Sequence, residues 1–159
     1  MLRFPRQYKL WVIAFALLVL TAGCGGAQSD TAFSDTTLVV QTPDGQSATV
    51  DLKEGPVLFV AHWCPHCEQF LASTSLDKLP TVVSIWPREG ETLEDVVAAT
   101  QEKLARTGWE GASFYVLMGA TPDYVRATPT LAWWDDQQIR AENPLEMNPD
   151  DLAAVILSH

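Results

Sequence analysis

The sequence predicts an α/β sandwich over residues 37–159, behind an N-terminal leader. Two observations carry that prediction. From Thr37 onward, short runs of β-branched and apolar residues alternate with stretches whose apolar residues recur at helical spacing. The alternation closes in a hairpin-like pair of runs and one last helix, an order that stacks helices on a sheet. At 159 residues the chain has room for one such domain.

The leader, residues 1–23, reads as a signal peptide. Arg3, Arg6 and Lys9 form a basic start, and Leu10 to Gly23 is a stretch of 14 residues with few polar groups. A membrane span needs about 20 apolar residues, so the shorter run suits a signal sequence. Leu20-Thr21-Ala22-Gly23-Cys24-Gly25-Gly26 then resembles a bacterial lipobox, which implies diacylation of Cys24 and cleavage before it. Ordinary cleavage near Ala22 and an uncleaved anchor are the alternatives. Residues 24–36 are small and polar apart from Phe33 and read as a flexible tether.

Charge narrows the range of partners. The formal net charge is −10. Arg3, Arg6 and Lys9 are three of the ten basic residues, whereas all 20 acidic residues follow Cys24, so the mature chain would carry −13. Such a surface excludes nucleic acid and docking on anionic lipid through the folded face. The plain explanation is the solubility of an exported domain.

Within the domain, Thr37 to Gln41 and Ser47 to Leu52 are strand-like, and Pro43-Asp44-Gly45 between them carries turn chemistry. Val57 to Ala61 is a short apolar strand after Gly55-Pro56. A helix beginning near Pro65 is expected to run to about Lys78, closed by Pro80, although Ser73-Thr74-Ser75 weakens its middle. Thr81 to Trp86 is the next strand, ended by Pro87. Thr92 with Asp95 is a capping signal. Leu93, Val96, Val97, Thr100 and Leu104 then line one face of a covering helix that Gly108 ends, and its charges read as solvated. Ser113 to Met118 and Thr130 to Trp134 are further strands, the second turning at Asp135-Asp136 toward Ile139. Met118, Trp133 and Trp134 read as core or sheet-face residues. Asn148-Pro149-Asp150-Asp151 starts the last helix with a cap, a first-turn proline and carboxylates against the dipole. Leu152, Val155 and Ile156 supply its apolar face.

The chemistry lies at Ala61-His62-Trp63-Cys64-Pro65-His66-Cys67. A cysteine between a buried strand and a helix start meets unpaired N–H groups and the positive end of the dipole, which favour its thiolate. Cys67, one turn on, can close a disulfide with Cys64. Zinc is the first alternative, but it would need two further ligands, and only His62, His66 and His159 remain. A purely structural bridge is the second, although such bridges gain more by closing longer loops.

Trp63-Cys64-Pro65-His66-Cys67 after an apolar strand resembles the active site of the thioredoxin superfamily, and the Pro-His pair is similar to that of disulfide-forming oxidases of bacterial envelopes. Tyr124-Val125-Arg126-Ala127-Thr128-Pro129-Thr130-Leu131 resembles the segment in which a cis-proline opens the strand facing the cysteines. The resemblance implies a thioredoxin-like three-layer sandwich with a central mixed sheet. The leading hairpin is similar to the N-terminal extension of membrane-tethered extracytoplasmic members.

It also implies roles. Cys64 attacks, Cys67 resolves, and His66 adds positive charge beside the thiolate. Trp63 stands at the rim as a substrate platform, and Thr128 and Pro129 present backbone to an extended substrate. His62 either shuttles protons for Cys67 or satisfies a loop carbonyl. Many relatives bury an acid six residues before the first cysteine; here that position is Leu58.

The expected function is a lipid-anchored thiol–disulfide oxidoreductase acting on protein thiols or disulfides outside the cytoplasm. It would work with a membrane redox partner, as a monomer, without cofactor or metal. The alternative is a non-catalytic lipoprotein of the same fold that binds copper or a peptide, since sulfur ligands suit Cu(I).

Overall fold

A computed structural model describes residues 36–158. The expected signal sequence, Cys24, the expected tether up to residue 35 and His159 therefore lie outside the described residues. The elements are β1 (Thr37–Gln41), β2 (Ser47–Asp51), β3 (Val57–Val60), α1 (Pro65–Ser73), β4 (Thr81–Ser84), α2 (Leu93–Arg106), β5 (Phe114–Val116), β6 (Thr130–Asp135), β7 (Gln138–Glu142) and α3 (Pro149–Leu157). The strands form one mixed sheet of seven in the order β2-β1-β5-β4-β3-β6-β7. This is the expected α/β class, with a central mixed sheet and an N-terminal hairpin.

The turn residues set that hairpin. Gly45, at φ +82°, donates to the Thr42 carbonyl at 2.9 Å, and Thr37 pairs with Asp51 through Gln41 with Ser47. β3, β4 and β5 are parallel neighbours, whereas β6 runs antiparallel to β3. Both crossovers, through α1 and then α2, step the same way along the sheet. Right-handed connections of that kind put their helices on one face.

Burial agrees with that geometry. Leu58, Val60 and Val82 pack with Cys67, Phe70 and Leu71 of α1, Leu104 of α2, and Leu152 and Ile156 of α3. The alternate residues Val57, Phe59 and Val83 point to the opposite face. There they share a cluster with Leu38, Val40 and Val50 of the hairpin strands and with Val125 of the segment after β5, where Tyr124 meets Phe59 edge-on at 6.1 Å.

The helix starts are as expected. Thr92 and Asp95 form a reciprocal capping box, and Asn148 accepts from the Asp151 N–H at 2.9 Å with Pro149 following. Three ends differ. α1 stops at Ser73 rather than near Lys78, because Ser73 Oγ bonds back to the Phe70 carbonyl at 3.2 Å and Thr74 turns extended. β4 stops at Ser84, since Trp86 adopts φ +54° and turns the chain. β5 stops at Val116, which leaves Met118 37 % exposed instead of in the core.

Trp109 fills the space between α1 and α2. Gly108, at φ +82°, lets the chain turn, and the indole then donates to the Leu71 carbonyl at 3.0 Å and stacks at a tilt on Phe70. Trp109→Ala removes a fully buried ring and its hydrogen bond, and should destabilise the domain by about 3–5 kcal/mol. Urea denaturation measures this; a loss below about 1 kcal/mol would mean that the helices are held by something else.

Candidate active site

β3 delivers the chain to Cys64, which is itself the N-cap of α1. Its backbone is extended (φ −79°, ψ 122°), Pro65 takes the first helical position, and Sγ accepts from the Cys67 N–H at 3.3 Å. A sulfur thus occupies the place where a serine or aspartate oxygen would receive the free N–H groups of the first turn. On its other side Cys64 Sγ donates to the Thr128 carbonyl at 3.4 Å. The Thr128–Pro129 bond is cis, and β6 then pairs with β3 through Thr130 and Phe59. The two sequence segments therefore meet at Cys64.

Their environments pull the two thiols apart. Burial alone would raise Cys64, but hydrogen bonding with the Thr128 and Cys67 side chains and with the Cys67 and His66 N–H groups outweighs it, and the thiol lies below its ordinary value. Cys67 is pushed up to about 12, first by burial and then by its hydrogen bond to Cys64. Access follows the same order: Cys64 keeps a 4 % opening and Cys67 has none. Both are free thiols here.

Trp63 stands beside the opening, 40 % exposed. Its indole donates to the Trp86 carbonyl at 2.8 Å, and the Arg88 guanidinium lies 5.9 Å over the ring. The left-handed backbone of Trp86, uncommon for a bulky residue, sits at this contact. His62 Nε2 and Glu91 Oε1 are 3.0 Å apart, while Glu91 Oε2 accepts the Arg88 N–H at 2.6 Å. Burial would raise the Glu91 carboxyl, but Arg88 and His62 hold it below its usual value. Residues 86–91 are thus tied down against residues 62–63. His62 does not satisfy a loop carbonyl: its Nδ1 is enclosed without a hydrogen-bond partner and its Nε2 is engaged by Glu91. His66 is exposed on the first turn.

Leu58 is fully buried opposite Leu131, so the position holds no acid. A buried charge nevertheless stands beside the pair, on a helix whose charges the sequence left in solvent. Lys103 of α2 is 2 % exposed, and its Nζ donates to the Cys64 carbonyl at 2.7 Å. The signal was present: with Val96 and Thr100, Lys103 continues the i, i+4, i+7 stripe that α2 buries. Among the described residues no cluster of three or more His, Cys, Asp and Glu side chains is arranged to hold a metal.

Known proteins offer likeness in structure. No protein-family model matches the sequence. No curated protein matches it either. Two solved structures are similar. One is a secreted disulfide oxidoreductase of Mycobacterium tuberculosis, 16 % identical, covering 77 % of this chain and 96 % of that one at a TM-score of 0.47. The other is a thioredoxin-like protein from Aeropyrum pernix, 15 % identical, covering 95 % of this chain and 99 % of that one at a TM-score of 0.49.

Proposed function

We propose that this protein is a thiol–disulfide oxidoreductase for exported proteins, working through Cys64 and Cys67. The observation that carries the reading is the asymmetry of the pair. One sulfur has a lowered pKa, a helix N-terminus beneath it and an opening to solvent; the other is raised to about 12 and sealed. In the oxidising direction a substrate thiolate attacks Sγ of Cys64 in the disulfide. The Cys64–Cys67 bond breaks, Cys67 leaves as thiolate and takes a proton, and a mixed disulfide joins substrate to Cys64. A second substrate thiolate attacks the substrate sulfur of that bond and releases Cys64. Two electrons pass from substrate to pair, and the reducing direction is the reverse.

Trp63 and the Thr128–Pro129 segment flank the reacting sulfur and are the substrate-contacting surfaces in this reading. The leader adds place: residues 1–23 would direct export, Cys24 would carry lipid, and residues 24–36 would tether the domain at the outer face of the membrane. A membrane redox partner would then reset the pair. Purified full-length protein should catalyse insulin reduction by dithiothreitol or refolding of a scrambled disulfide protein, and activity should survive chelators. Inactivity in both assays, or loss of activity on chelation, would reject the proposal.

A further inference from the structure

A lysine this deeply buried is rare unless it is paired, and the partner of Lys103 is unusual. The Cys64 carbonyl that it reaches already accepts the Glu68 N–H at 3.3 Å, so the carbonyl was satisfied without it. A neutral donor would have served as well, and burying an ammonium costs more than burying an amide. The adjacent carboxylate takes only part of the charge. Glu68 Oε2 pairs with Nζ at 3.8 Å while its Oε1 receives Arg106 at 3.1 Å, so one half-exposed carboxylate is shared between two cations. Glu102, the other partner of Arg106, is mostly exposed and screened. Bond lengths keep Cys64 Sγ within about 5 Å of its own carbonyl oxygen, which puts the ammonium within roughly 8 Å of the sulfur.

We infer that Lys103 is a positioning residue for the thiol pair: from α2 it fixes the N-cap residue of α1 and sets a positive charge beside the Cys64 thiolate. The inference rests on the oxidoreductase reading for its purpose, though not for its test. The other ionisable groups around Cys64 are Cys67 and exposed His66 on α1, Glu68 with Arg106, and the His62–Glu91 pair on the opposite side. Cys67 stays neutral up to about 12 and Glu91 is already matched by His62, so Lys103 is the buried cation of the set.

The experiment titrates the Cys64 thiolate by its ultraviolet absorbance in the reduced full-length protein, and equilibrates the pair with glutathione. Lys103→Met should raise the Cys64 midpoint by about one pH unit. Because the reduced thiolate form loses stabilisation, the equilibrium, read at a pH above the Cys64 midpoints of both parent and variant, should move about tenfold toward the disulfide, which is about 30 mV. Lys103→Arg, which keeps the charge, should stay near the parent in both readings. If the methionine variant fails to fold, Lys103→Gln keeps a neutral donor and should show the same upward midpoint. An unchanged midpoint and potential in a folded Met or Gln variant, even with a lower unfolding temperature, would make Lys103 a strut and overturn the inference. A shifted midpoint in a protein that turns over no substrate would instead reject the oxidoreductase reading and leave the inference standing.

Discussion

Cys64→Ser should abolish disulfide exchange altogether, whereas Cys67→Ser should stop turnover and trap the substrate. The difference follows from where each sulfur sits. Cys64 Sγ receives an N–H from the first turn of α1 and lies against the Thr128 carbonyl, at the only opening of the pair. A serine hydroxyl there remains protonated and cannot form the mixed disulfide. Cys67 is fully buried in the helix-side cluster with Leu58, Phe70 and Leu71, and in the proposed reaction it attacks the bond that Cys64 has formed. Without it the covalent complex should persist, resolved only by an outside thiol. Non-reducing electrophoresis of Cys67→Ser after incubation with an oxidised substrate checks this. A trapped adduct on Cys67 in Cys64→Ser would reverse the assignment.

The second large effect is selective alkylation. Iodoacetamide reacts with thiolates, so its rate at a given pH follows the thiolate fraction. Cys64 lies below its ordinary 9.0 and Cys67 near 12. Each unit is a factor of ten in thiolate below both values, so at neutral pH the thiolate fraction of Cys64 should exceed that of Cys67 about a thousandfold or more, and Cys64 should be labelled first. The sign with pH is fixed as well. The Cys64 rate should pass its midpoint below pH 9, while Cys67 should still be rising above it. Peptide mass mapping after brief labelling of the reduced protein reads both sites. Equal labelling of the two would contradict the environments described for them.

Local chemistry made much of this legible from sequence. The Pro43-Asp44-Gly45 turn, the Thr92–Asp95 box and the Asn148-Pro149 start each involve neighbours in the chain, and each is where the residues imply. The position of Cys64 at a strand-to-helix junction is local too. The ends of α1 and β4 were less legible, because propensity competes there with a serine back-bond in one case and a left-handed tryptophan in the other. Long-range contacts were not legible at all. Nothing near position 103 says that its ammonium meets a carbonyl 39 residues earlier, nor does position 62 reveal the Glu91 carboxylate 29 residues later. The packing of α2 beside α1 decides the first contact, and the path of residues 86–91 decides the second. Trp109 belongs with them, since only the fold shows that its ring seals the helix pair.

The most direct test of the account is the reduction potential of the Cys64–Cys67 couple in glutathione buffers. A helix N-terminus and the hydrogen bonds at Sγ stabilise the Cys64 thiolate, hence the reduced pair, and so raise the potential. The account predicts a two-electron couple more oxidising than thioredoxin, above about −270 mV. A couple at or below that value, or thiols that form no disulfide with one another, would contradict it.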